Sequence, residues 1–142
     1  MKCLGIAIMK NEIWYSIVEG AKMDTALICE TGKQNYRSES RSLMMDFYNI
    51  FVELITKYKP DRVAYKLYLD TKMQQIPYMH YSLGVLNLVC FQYGIGARAR
   101  SSNWITAGKK AKIIRFENYF SQRNFKNEEM VATLVAWFEL EE

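Results

Sequence analysis

Histidine is nearly absent from this sequence: His80 is the only one. Cysteine is scarce and scattered; Cys3, Cys29 and Cys90 each sit in an apolar run, and no C-x-x-C spacing occurs. One histidine and three dispersed thiols do not supply the clustered ligands that a zinc site of the Cys/His type needs. The same odd set argues against a secreted disulfide framework and for a reducing cytoplasm, with the thiols as core packers. Long apolar runs are lacking too. None approaches the ~18 residues that suggest a membrane span, so no membrane partner is expected. Lys10, Asn11 and Glu12 interrupt the first apolar run, which argues against a signal peptide. No repeat, low-complexity tract or linker is visible, and residues 1–142 are expected to form one domain.

What is present is enough for a core. Half of the residues are apolar and 14% are aromatic. Ten Tyr and eight Met favour a core or interface with adaptable packing. The net charge of +4 is compatible with nucleic acid, DNA or RNA, and equally with an acidic protein partner.

Periodicity orders the chain. Lys2–Met9 is a buried strand, Lys10-Asn11 a turn, and Ile13–Val18 a strand folding back with both faces covered. Thr25–Glu30 is a third strand, and the polar stretch Thr31–Arg41 is expected to be a loop. Ser40 or Ser42 can cap a helix over Leu43–Tyr58, whose Phe47, Ile50, Phe51, Leu54 and Ile55 form an apolar stripe. Asp61–Leu69 is the fourth strand, and Asp70–Gln75 is a polar break. Pro77 opens a helix to about Tyr93, with Leu83, Leu86, Val89 and Cys90 or Tyr93 inward. Gly84 and Asn87 leave room on that helix for another backbone, and Gly94 stops it. Ile95–Ser101 is the fifth strand, with Ile95, Ala97 and Ala99 on one face and Arg98 and Arg100 on the other. Ser102 or Asn103 caps a short turn through Trp104 and Ile105, which Gly108 breaks. Lys109–Gln122 is a basic helix with Ile113, Ile114, Phe116 and Phe120 on its apolar side. Asn127 caps a last helix, Glu128–Leu140, with Val131, Leu134, Val135 and Phe138 inward. The result is an α/β domain: a five-stranded mixed sheet, three antiparallel strands followed by parallel ones, flanked by helices.

This order, with several motifs, resembles the RuvC-like branch of the RNase H-like superfamily, the Holliday-junction resolvases and their small relatives. Leu4-Gly5-Ile6-Ala7 is similar to the first strand, where the family has Gly-Ile-Asp. Lys59-Pro60-Asp61-Arg62-Val63-Ala64-Tyr65-Lys66 resembles its Pro-Asp-x-x-Ala-Ile-Glu strand. The helix with Ser82 and Gly84, then Gly94-Ile95 and Ser102 through Lys110, resemble the next elements. Glu128-Glu129-x-x-Ala132 resembles the last helix, which carries two acids.

The resemblance implies three or four carboxylates around two Mg²⁺ ions that cleave phosphodiesters. Carried over residue by residue, Ala7 stands where the first Asp is expected, Lys66 where the Glu is expected, and Val131 at one of the final acids. Glu128, or Glu129 under a shifted alignment, remains. An ammonium within ~4 Å of a divalent ion is strongly unfavourable, so Lys66 argues against two-metal catalysis. It is left to contact phosphate, to pair with Glu128, or to extend into solvent from the strand end. Asp70 is better suited to a turn than to a metal. His80 has no catalytic partner at any recognisable spacing and is expected on a helix surface or half-buried.

Arg98, Arg100, Lys109, Lys110, Lys112 and Arg115 are the candidate phosphate contacts; the plainer reading of this group is a solvated helix face. Tyr78, Tyr81 and Tyr93 can stack on bases or serve core and dimer contacts. The expected function is a non-catalytic RuvC-like domain that binds nucleic acid through a basic face, without a cofactor. One alternative is a Mg²⁺-dependent nuclease with rearranged acids drawn from Glu12, Asp70, Glu128 and Glu129. Another is a protein-binding inhibitor or immunity-type factor. Because related resolvases pair, the resemblance also implies a homodimer through the Pro77–Tyr93 helix.

Overall fold

β1 (Lys2–Met9) is the middle strand of a five-stranded sheet, and everything else is laid against it. The computed structural model describes residues 1–67, 77–101, 107–126 and 128–141, the side chains of 77, 78, 101 and 107–109 excepted. β1 turns at Asn11, whose positive φ of 66° tightens the hairpin, into antiparallel β2 (Glu12–Glu19). β3 (Leu27–Asn35) adds antiparallel to β2. β4 (Arg62–Leu67) pairs parallel with β1, and β5 (Gly96–Ser101) parallel with β4. The order is therefore β3-β2-β1-β4-β5, the five-stranded mixed sheet expected from the sequence.

Strand alternation divides the core in two. Leu4, Ile6 and Ile8 of β1 join Ile13, Tyr15, Ile17, Val63 and Tyr65 on one face. Helices α1 (Leu43–Tyr58) and α2 (Pro77–Gln92) cover it with Phe47, Phe51, Leu54, Leu86 and Val89. The opposite face carries Cys3, Gly5 and Ala7 and is crossed by α4 (Glu129–Trp137), which lies over β1, β2 and β4. Only a glycine permits that approach. A Cβ on Gly5 would stand 1.8 Å from the Ala132 carbonyl oxygen. α3 (Ala107–Tyr119) packs Phe116 edge-on against Trp137, with ring centroids 5.5 Å apart. Thr133 and Ser16, both buried, satisfy each other at 2.8 Å between α4 and β2.

Several boundaries differ from expectation. Thr31–Asn35 is strand rather than loop, because β3 stays hydrogen-bonded to β2 along its length and absorbs a register shift at Ile17/Val18. The third strand also starts later, since Met23–Thr25 forms a 3-10 turn. α3 begins at Ala107 and runs through Gly108, and α4 is shorter at both ends than predicted. β5 starts at Gly96, because the Ile95 amide donates to Cys90 O and closes α2. Ser42 is the N-cap of α1, but its hydroxyl bonds the Asp46 carboxylate rather than a backbone amide. Gly94 does end α2, with φ 67°. On α2, Met79 and Val85 are buried while Tyr93 is exposed, and Ile114 of α3 is exposed rather than inward. Cys3 and Cys90 are core residues, whereas Cys29 is exposed on β3. Residues 68–76, 102–106 and Asn127 lie outside the described residues, and with them Asp70, the polar break, the Trp104 turn and the predicted Asn127 cap.

Candidate functional site

Where β1 and β4 end, the fold brings Ala7, Lys66, Glu128 and Val131 together. Ile6 is paired with Tyr65, so Ala7 and Lys66 follow side by side on the face that α4 crosses. Glu128 is the N-cap residue of α4, and its negative charge faces the Lys66 ammonium. Burial holds the Lys66 amine below the ordinary lysine value of 10.5, and Glu128 partly restores it. Between them the surface is apolar: Ala7, Trp14 and Ala132 form a buried cluster, with Met9 and Val131 packed on it.

The carboxylates nearby are engaged in ion pairs. Glu12 is paired with Lys33 at 2.6 Å, and the Lys33 ammonium in turn sits 5.5 Å from the centroid of the Trp14 ring. Glu129 is buried and points to Arg123 at 3.1 Å, so of the two sequence candidates Glu128 is the one that faces Lys66. A Mg²⁺ pair needs several hard oxygen donors converging on one space. These positions supply one carboxylate, one ammonium and a sealed methyl surface, and they do not fit such a pair. Among the described residues, no three His, Cys, Asp or Glu side chains are grouped as a metal site.

The predicted basic residues separate into two groups. On α3, Lys110 is exposed and Lys112 is half-buried, while Arg115 is drawn to Asp24 at 2.7 Å and also lies over the Trp137 ring. The Lys109 side chain is outside the described residues. Arg98 and Arg100 belong to a different assembly. Glu139, just beyond α4 and with its side chain only 2% exposed, accepts Arg100 at 2.5 Å and has Arg98 and Arg62 at 3.7 and 3.9 Å. Arg62 and Glu139 were not singled out from sequence. The signal for Arg62 was the two-residue period, which puts Arg62 and Lys66 on the same face as Arg98 and Arg100. His80 is on the exposed side of α2. That helix also shows a stripe of Tyr81, Leu88 and Phe91, 46%, 50% and 83% exposed, at helical spacing beside Gly84. Among the described residues beyond its own helical turns, no atom comes within 4 Å of a Cβ built on Gly84, so the gap expected there is open.

No protein-family model matches the sequence, and no curated protein matches it. Solved structures do match the fold. RuvC of Thermus thermophilus in complex with a Holliday junction substrate superposes with a TM-score of 0.76 at 12% identity, over 96% of this chain and 91% of that one. A second Thermus thermophilus RuvC structure gives 0.72 at 14% identity, over 96% and 92%. The yeast mitochondrial Holliday junction resolvase Ydc2 gives 0.62 at 14%, over 95% and 75%. The chain has the RNase H-like fold in its RuvC-like form.

Proposed function

We propose that this chain is a single RuvC-like domain that binds nucleic acid without cutting it and without a metal cofactor. Lys66 carries the reading. It stands beside Ala7, at the mouth of α4, where the resemblance calls for a metal-binding carboxylate. Ala7, Lys66 and Val131 are then degenerate site positions, and Glu128 is the remaining acid. A half-buried ammonium there, while protonated, provides positive charge for a phosphate in the place a divalent ion would provide it. Lys110 and Lys112 add basic side chains along α3, the helix to which Lys109 also belongs. The RuvC neighbour's bound Holliday junction makes a branched DNA the substrate class to test first.

The test is the affinity for a four-way DNA junction at low salt. Lys66→Glu is expected to lose roughly tenfold or more, the ~1.4 kcal/mol scale of one charge-assisted contact, and Lys66→Arg to retain binding. Equal affinity for Lys66→Glu and the wild-type chain would remove Lys66 from the interface and with it this reading.

The exposed stripe on α2 favours a second role beside the first, self-association through that helix. Tyr81, Leu88 and Phe91 offer an adaptable apolar face, and Gly84 lets a partner backbone come close. Sedimentation should then show a dimer that Phe91→Glu dissociates, and a monomeric wild-type chain would dismiss the pairing.

A further inference from the structure

The arginines around Glu139 carry more charge than that carboxylate can balance. Three guanidinium groups converge on one buried carboxylate, leaving an excess of two positive charges in the cluster. Their engagement is unequal. Arg100 is held on Glu139 Oε2, donates to Phe138 O at 3.5 Å and lies over the Phe138 ring, and it is mostly buried. Arg62 and Arg98 share the other oxygen at long range and are 51% and 60% exposed. A guanidinium has five N–H donors in a planar fork, so each of these two keeps donors facing solvent.

The strand register places this cluster on the same face of the sheet as the site already described. Lys66 is paired with Arg100, Ala64 with Arg98 and Arg62 with Gly96, all on the face that α4 crosses. α4 lies over β1, β2 and β4. Between Lys66 and Arg62 on this face Ala64 is fully buried under α4. The start of α4 meets Lys66 through Glu128 and its end meets Arg62 through Glu139, so the arginine cluster stands at the opposite end of α4 from Lys66. Four residues of strand separate Lys66 from Arg62, about 13 Å at a ~3.3 Å rise.

We infer that Arg62 and Arg98, oriented by Glu139, form a second phosphate-contact site. It stands at the opposite end of α4 from Lys66. This rests on the nucleic-acid reading above and extends it to residues away from the degenerate site. Glu139 acts as a positioning residue, holding two forks at one place on the sheet. Arg100 anchors the carboxylate and contributes to the fold.

The test is the salt dependence of binding to a four-way DNA junction. Each phosphate contact contributes about 0.9 to the slope of log K against log salt. Arg62→Ala/Arg98→Ala should lower the slope by about 1.8. Lys22→Ala/Lys57→Ala, which removes two exposed cations elsewhere, should leave it unchanged. If the alanine pair lowers the melting temperature, Arg62→Gln/Arg98→Gln serves in its place, since Arg100 remains on Glu139 in both. A wild-type slope in the arginine variant overturns this inference and leaves the proposed function standing. An equal fall in both double variants overturns it too, by reducing the effect to net charge. No binding by the wild-type chain at low salt overturns both.

Discussion

At the residue scale the account turns on the environment of Lys66. Burial disfavours its charged form and Glu128 only partly compensates, so its amine loses its proton below the ordinary 10.5. Between its lowered folded value and 10.5, the unfolded chain binds a proton that the folded chain does not. The contribution of Lys66 to stability therefore rises with pH across that window, as the burial penalty on the charge is relieved. Phosphate binding moves the other way, because the contact is lost with the proton. Junction affinity is expected to fall as pH rises, with a midpoint below 10.5, while Lys66→Arg holds its affinity over the same range. Parallel pH profiles for the two proteins would mean that Lys66 is not the titrating contact. The four positions that meet here were legible in sequence because their order along the chain is the fold's order. The choice between Glu128 and Glu129 was not. One residue on a helix turns a side chain by about 100°, and only the placement of Arg123 shows which way each acid faces.

At the scale of elements, the decisive contact is α4 on β1. Gly5 has no Cβ, Ala132 and Ala136 are small, and the helix consequently lies against the strand backbone. Gly5→Ala would push a methyl group into the Ala132 carbonyl, and a backbone atom cannot swing aside. The cost is expected to reach at least the upper end of overpacking, ~3 kcal/mol, read as a drop in the urea midpoint. An unchanged midpoint would mean that α4 is not held as described. The same scale shows where sequence reading was weak. Gly32, Lys33, Gln34 and Asn35 have the composition of a loop, and only their pairing with Tyr15, Trp14, Ile13 and Glu12 makes them strand. The Glu139 cluster was hidden for a related reason. Arg100 and Glu139 lie 39 residues apart in sequence, and no local period links a helix end to two strands. The alternation of strand faces, by contrast, could be read directly, and it placed Arg98 and Arg100 opposite Ala97 and Ala99.

At the scale of the molecule, an RNase H-like fold carries an apolar surface and one ammonium where β1 and β4 end. The sheet order and helix layers are those of the RuvC neighbours over nearly the whole chain. The space between the ends of β1 and β4 and the start of α4 holds methyl groups and one ammonium, with Glu128 beside it. Positive charge also stands at the far end of α4, on Arg62 and Arg98, and separately along α3. A fold that presents cations in these places can engage a phosphate backbone by electrostatics alone, with strong salt dependence. The most direct measurement is binding of a four-way DNA junction by the wild-type chain at low salt, once in Mg²⁺ and once in EDTA. The account predicts salt-sensitive binding under both conditions and a junction recovered uncut. Cleavage in Mg²⁺, or binding that disappears in EDTA, would contradict it.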